Sequence, residues 1–163
     1  MSVTIRAARA ADAPGILEIY NDAVLKTTAT FDTEPRTLDA QEKWLAAHGE
    51  RWPALVAEEG GRVVGWASLS RWSDRCAYDD SAEDSVYLAQ AARGKGLGKS
   101  LLAALLDEAR RRKFHTILAR IAEGNPVSIK LHAAFGFKEI GVLKEVGFKF
   151  GKRLDVAILQ LML

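Results

Sequence analysis

The sequence predicts an α+β fold, a mixed and mostly antiparallel sheet flanked by helices, in a single domain covering residues 1–163. Three observations carry this. The 163 residues are 48% apolar and 27% charged, a globular composition on a chain long enough to bury a core. Strand-like and helix-like hydrophobic periods follow one another in the order β-α-α-β-β-β-α-β-α-β-β, which puts helices on the faces of a sheet. No repeat or low-complexity segment breaks the chain, and its four prolines are scattered rather than gathered into a linker.

Thr4–Ala7 reads as a first strand. Asp12, then Pro14, opens a helix whose apolar face is Ile16, Ile19, Tyr20, Ala23 and Val24; proline is tolerated in a first helical turn. Phe31-Asp32-Thr33-Glu34-Pro35 is a polar loop, and Asp39 with Glu42 resembles a capping arrangement for a second helix through Trp44 and Leu45. Ala54–Glu58 and Val63–Leu69 form a hairpin about Glu59-Gly60-Gly61, and Ser85–Leu88 is a further short strand. A helix with Leu101, Leu102, Leu105, Leu106 and Ala109 on one face ends in Arg110-Arg111-Arg112-Lys113, cations that suit a helix C-terminus. Thr116–Ile121 is a strand, Pro126–Phe135 a short helix closed by Gly136, and two long strands, 137–150 and 152–163, end the chain.

Lys plus Arg number 23 and Asp plus Glu 21, so charge gives no reason to expect a nucleic-acid partner or an acidic membrane surface. The single cysteine, Cys76, makes neither an internal disulfide nor a thiolate zinc site, and three scattered histidines, with His48 and His115 read as surface residues, argue against a metal centre. No apolar run reaches the roughly 18 residues of a bilayer span. The expectation is a cytoplasmic protein.

Arg93-Gly94-Lys95-Gly96-Leu97-Gly98-Lys99-Ser100 follows a strand and opens a helix. Glycines let the backbone turn and approach a ligand, and free helix N-terminal amides suit phosphate. A nucleoside-triphosphate loop would need its first glycine at position 93, where this chain has Arg93. No acidic residue on 117–121 replaces the missing magnesium ligand either.

Arg93, Gly96 and Gly98 instead resemble the R-x-x-G-x-G pyrophosphate loop of the GCN5-related N-acetyltransferases (GNAT), as do Asn125-Pro126-Val127-Ser128, Phe135-Gly136-Phe137 and the element order. Phe31–Pro35, Arg75–Tyr78, Ala82–Tyr87 and Gly147–Gly151 with Asp155 are similar to the branch that acetylates phosphinothricin, methionine sulfone and methionine sulfoximine. The chain departs from herbicide-resistance members at Lys152-Arg153-Leu154, where those carry aromatic and histidine residues; this ranks the sulfur compounds first.

The resemblance implies acetyl-CoA as co-substrate, no metal, a small amino-acid-like acceptor and a homodimer. It implies a cofactor site at Val86, Tyr87, Leu88, Arg93, Gly94, Lys95, Gly96, Leu97, Gly98, Lys99, Ser100, Asn125 and Ser128. Glu83 is implied as the general base, with Asp84 and Asp79 as competitors. His132 stands where many members have a tyrosine that protonates the departing thiolate. It reads either as that acid or as a helix-surface histidine packing on the cofactor. Phe31, Arg75, Cys76, Ala77, Tyr78, Glu83, Asp84 and Ser85 are the substrate candidates, Arg75 because a guanidinium grips a carboxylate with two hydrogen bonds. Tyr87 points opposite to Val86 and is core or substrate wall. The unpartnered face of the C-terminal strand with Leu154, Val156 and Ile158 supports a dimer. Two other readings stay open: a polyamine or protein N-terminal acetyltransferase, for which Asp79, Asp80, Glu83 and Asp84 form an acidic cluster, and a non-catalytic acyl-CoA sensor.

Overall fold

A computed structural model describes residues 2–163. Its regular elements follow the predicted order: β1 Val3–Ala7, α1 Ala13–Lys26, α2 Leu38–Ala46, β2 Ala54–Glu59, β3 Arg62–Arg71, β4 Ser81–Leu88, α3 Leu97–Arg111, β5 Thr116–Ala122, α4 Pro126–Ala133, β6 Lys138–Lys149 and β7 Lys152–Met162. Three 3-10 turns, Ala10–Asp12, Cys76–Tyr78 and Gln90–Ala92, were not foreseen. The seven strands form one sheet in the order β1-β2-β3-β4-β5-β7-β6. Every neighbouring pair is antiparallel except β4 and β5.

Each face carries its own core. The leucine face of α3, Leu101, Leu102, Leu105 and Leu106, packs on Leu55, Ala67, Leu69, Ile117 and Ala119. On the opposite face, Ile16, Ile19, Tyr20 and Val24 of α1 meet Val56 and Trp66. The α1 entry is fixed by Asp12, whose carboxylate takes two bonds from Arg6 (2.8 and 2.9 Å) and the Arg9 amide. The Arg6 bond first, then the Arg9 amide, holds the Asp12 carboxyl below its usual value against the opposing effect of burial. At the far end of α3, Glu108 pairs with Arg111 and Arg112.

Several local expectations are corrected. The N-cap of α2 is Thr37, whose side chain accepts from the Ala40 amide at 3.2 Å; Asp39 instead pairs with Lys43. Strand β4 begins at Ser81 rather than Ser85, so Glu83 lies within a strand. His48 is half-buried, its Nδ1 2.8 Å from the Trp44 carbonyl, and burial pushes its pKa down. Strand β7 lies between β5 and β6 with Leu154 and Val156 buried, so the uncovered apolar surface is on edge strand β6: Ile140, Val142, Leu143, Val146 and Phe148, with Phe150 beyond it. No helix is long and apolar enough to cross a membrane among the described residues.

Candidate active site

The parallel pair β4–β5 is joined only at Ser81–Glu83 and Thr116–Leu118. Past Glu83 the strands part, β5 continuing against β7 and β4 against β3. The edge of β4 facing β5 is thereby left unpaired from Asp84 onward. Ala89 donates its amide to Val64 of β3 (2.9 Å). By alternation the amides of Tyr87 and Ser85 also turn to β3, and those of Val86 and Leu88 turn into the gap.

A cavity of about 350 Å3 opens at this parting. It holds Phe31, Glu83, Asp84, Ser85, Val86 and Tyr87 together with Asn125, Ser128 and His132, residues far apart in sequence. Alternation divides them between the faces of the sheet. Glu83, Ser85 and Tyr87 share the α1 face with their cross-strand partners Ser70, Ser68 and Trp66. Asp84, Val86 and Leu88 face α3 and α4. Glu83 is half-buried, and its Oε1 lies 3.6 Å from Arg120 Nε. Burial pushes the Glu83 carboxyl up, Arg120 opposes this and Asp84 adds to it, the direction that suits a general base.

Tyr87 resolves as both core and wall. Its ring stacks on Trp66 at 4.7 Å and meets Tyr20 edge-on at 5.5 Å, and its hydroxyl donates to the Ala29 carbonyl. Burial pushes its pKa well up, so it stays a neutral phenol. The 28–32 loop is further held by Tyr20, which bonds Thr30 (3.0 Å) and Asp32, and by buried Lys149, which donates to the Thr30 carbonyl (2.7 Å). Gly147 lies beneath this loop, where a Cβ would displace the Phe31 ring.

His132 is not the surface residue expected as one alternative. It is buried, with Nδ1 2.7 Å from the Ser128 carbonyl and Nε2 2.9 Å from Asp84 Oδ2. Burial lowers the imidazole's proton affinity, but Asp84 outweighs this by hydrogen bond and charge, and the pKa ends raised. Asp84 is therefore engaged by histidine rather than standing free for substrate.

The glycine loop fits a pyrophosphate. Gly94 and Gly96 take φ of +74° and +78°, a conformation other residues adopt only under strain. A Cβ at either would meet nothing within 4 Å, so the backbone is open to an approaching group. The first α3 amide to find a helical carbonyl is Ser100, bonded to Gly96, which leaves the preceding amides for a ligand. Lys95, Lys99 and Ser100 are exposed around it, and Leu97 is buried beneath. Arg93 folds back on the Leu88 carbonyl at 3.3 Å, and Asn125 caps α4 by accepting from the Ser128 amide (3.2 Å).

Arg75, Cys76, Ala77 and Tyr78 are not brought into the cavity. They form the exposed turn before β4, beside the end of the strand that is still paired with β5. The cations on the cavity wall are Arg36 and Arg120, neither of which was singled out. Arg120 had a signal: it alone is exposed in a strand whose other residues are buried, and its guanidinium stacks on Trp72 at 4.6 Å. A second cavity, about 790 Å3, lies between β1, α2 and α3, but its Arg6, Arg112 and Glu108 are occupied by ion pairs. Among the described residues no group of three or more His, Cys, Asp or Glu is placed to hold a metal ion.

Comparison with known proteins agrees with this fold. Residues 5–158 match the family model of the acetyltransferase (GNAT) domain. The chain is 44% identical to an L-methionine sulfoximine/L-methionine sulfone acetyltransferase of Pseudomonas paraeruginosa, over 99% of this chain and 95% of that one. It superposes with TM-score 0.96 on a phosphinothricin acetyltransferase of Sinorhizobium meliloti in complex with acetyl-CoA, at 40% identity over 100% of this chain and 89% of that one. It superposes equally, at 45% identity, on a ribosomal-protein-alanine N-acetyltransferase of Brucella melitensis, covering 98% and 99% of the two chains. The fold, the parted strands and these likenesses together place the chain in the GNAT family of acetyl-CoA-dependent N-acetyltransferases.

Proposed function

We propose that the protein acetylates the α-amine of a small amino acid or analogue in a detoxifying reaction of the cytoplasm, with methionine sulfone and methionine sulfoximine ahead of phosphinothricin. The observation that carries this reading is the Glu83–Arg120 pair at 3.6 Å on the wall of the cavity. Its two charges complement the ammonium and carboxylate of a zwitterion. The relatives named for amino-acid analogues support the same class.

In this account the pyrophosphate of acetyl-CoA lies on the amides from Gly94 to Lys99, and the acetyl group reaches the gap between β4 and β5. Glu83, directly or through a water, takes a proton from the substrate ammonium. The neutral amine attacks the thioester carbonyl, and the inward amides of Val86 and Leu88 stabilise the oxyanion. Collapse expels the coenzyme A thiolate, which takes up the second proton, the one that the attacking nitrogen loses as it becomes an amide. No covalent enzyme intermediate is needed. Arg120 assumes the carboxylate-gripping role first given to Arg75, because Arg120 lies on the cavity wall. We further read the apolar surface of β6 as a homodimer contact, since a row of this size invites cover.

The Brucella structure named for ribosomal-protein alanine favours a second reading, acetylation of a protein N-terminus. Thiol release from acetyl-CoA with methionine sulfone, methionine sulfoximine, phosphinothricin, spermidine and an alanine-terminated peptide separates the classes. Our reading requires the amino-acid analogues to be turned over best; a preference for the peptide or the polyamine replaces it.

A further inference from the structure

We propose that Asp84 is a positioning residue: through His132 it ties β4 to α4 across the parting of the sheet and sets the placement of the cofactor-facing turn of α4. Main-chain pairing between β4 and β5 stops at Glu83, and Asp84 is the next residue. Its carboxylate meets His132 Nε2 at 2.9 Å, with the two side chains 2% and 5% exposed. The same ring reaches the Ser128 carbonyl through Nδ1, and the Ser128 amide bonds the Asn125 side chain. The bridge thus takes over where the strand ladder ends. It runs from β4 to the residues that open α4.

Helix α4 is held there by this bridge together with Ile129 and Leu131, which pack half-buried against the core on the α3 face. It is eight residues long, and His132 is its one buried side chain. Val127 is 76% exposed. Phe137, edge-on to the imidazole at 5.0 Å, packs behind the ring.

The bridge also fixes what His132 can do. The Ser128 carbonyl only accepts, so Nδ1 carries a hydrogen. Nε2 faces the carboxylate, so the remaining proton is held between ring and Asp84. Both ring nitrogens are committed within the protein. His132 therefore orients α4 and does not protonate the coenzyme A thiolate. The groups acting on the ring are Asp84 from β4, the Ser128 carbonyl and hydroxyl from α4, and the Phe137 ring; Glu83 and Arg120 lie toward the other face of the sheet.

The inference rests on Asn125 and the α3 loop holding acetyl-CoA, and its test is arranged to fail separately from that reading. Steady-state kinetics of Asp84→Ala and Asp84→Asn are compared with wild type as a function of pH, alongside acetyl-CoA binding by calorimetry. Asp84→Ala should raise the KM and Kd for acetyl-CoA about tenfold and change kcat by less than about threefold. Asp84→Asn retains a group that can bond the ring, and should restore KM to within about threefold with the basic limb of the kcat profile unmoved. Two results overturn the inference: a hundredfold fall in kcat of Asp84→Asn with a displaced basic limb, which makes His132 the acid, or Asp84→Ala with wild-type KM. If Asp84→Ala does not fold, the kcat and basic limb of Asp84→Asn decide. Unperturbed acetyl-CoA binding on changing Gly96 would remove the cofactor reading instead, without touching the bridge.

Discussion

Replacing Glu83 by glutamine removes basicity and little else. The site sits where its carboxylate is held above its ordinary value, chiefly by burial, with Arg120 opposing and Asp84 reinforcing. A carboxyl raised in the folded state stabilises the fold below the unfolded carboxylate value, and that contribution is lost as pH rises through the raised value. At neutral pH ionised Glu83 is thus no asset to the fold. Its partner Arg120 is 49% exposed and keeps its stack on Trp72, so losing the pair costs at most about 1 kcal/mol. The Tm of Glu83→Gln at pH 7 should equal or exceed that of wild type. Turnover should nevertheless fall by roughly 10²-fold or more, the scale of a lost general base, equivalent to about 2.7 kcal/mol of barrier. Thiol release recorded from about pH 6 to 9, beside thermal melts, checks both halves. Unchanged turnover across that range refutes Glu83 as the base; a loss of turnover matched by a drop in Tm refutes the argument that its burden is functional.

Gly96→Val, at φ +78° with open space where a side chain would go, should weaken acetyl-CoA at least tenfold by calorimetry. Gly61→Val, equally strained at +79° in the β2–β3 turn, should leave binding intact. Asp12→Asn should cost roughly 1.5–3 kcal/mol at neutral pH, since it removes the charge from part-buried hydrogen bonds that the carboxylate takes from Arg6 and the Arg9 amide. Because the folded Asp12 carboxyl is lowered, the gap from wild type in urea melts should be full above the unfolded carboxylate value and close as pH falls through the folded one. Light scattering at micromolar concentration should give twice the 17.8 kDa chain mass, and Phe148→Glu on β6 should return it to one.

What was legible in the sequence was local. The α3 leucine face and the glycine loop each declare themselves within a dozen residues, and both stand where they were expected. The start of β4 was missed because Ser81-Ala82-Glu83-Asp84 is poor in strand formers; it is a strand because β3 and β5 flank it. The Asp84–His132 bridge joins residues 48 apart, and nothing in either neighbourhood announces it. Strand alternation does separate Glu83 from Asp84 once the strand is known, and puts the adjacent carboxylates on opposite faces of the sheet. Arg75 was placed in the site on its chemistry and on the resemblance of Arg75–Tyr78 to the family branch, whereas the folded loop leaves it off the cavity wall. The uncovered apolar face was expected on β7 and lies on β6 instead, because strand order in a sheet is not written in chain order.

The most direct test is a single assay on methionine sulfone and on the same amine without its carboxylate, reading coenzyme A thiol and N-acetylated product in each sample. The account predicts equal amounts of thiol and product with the amino acid, and a kcat/KM at least about tenfold lower for the decarboxylated amine, since the charge-assisted hydrogen bonds from Arg120 to the carboxylate are worth about 1.5–3 kcal/mol. Equal efficiency on the two compounds would contradict it, and would move the acceptor from amino acids to amines or peptide N-termini.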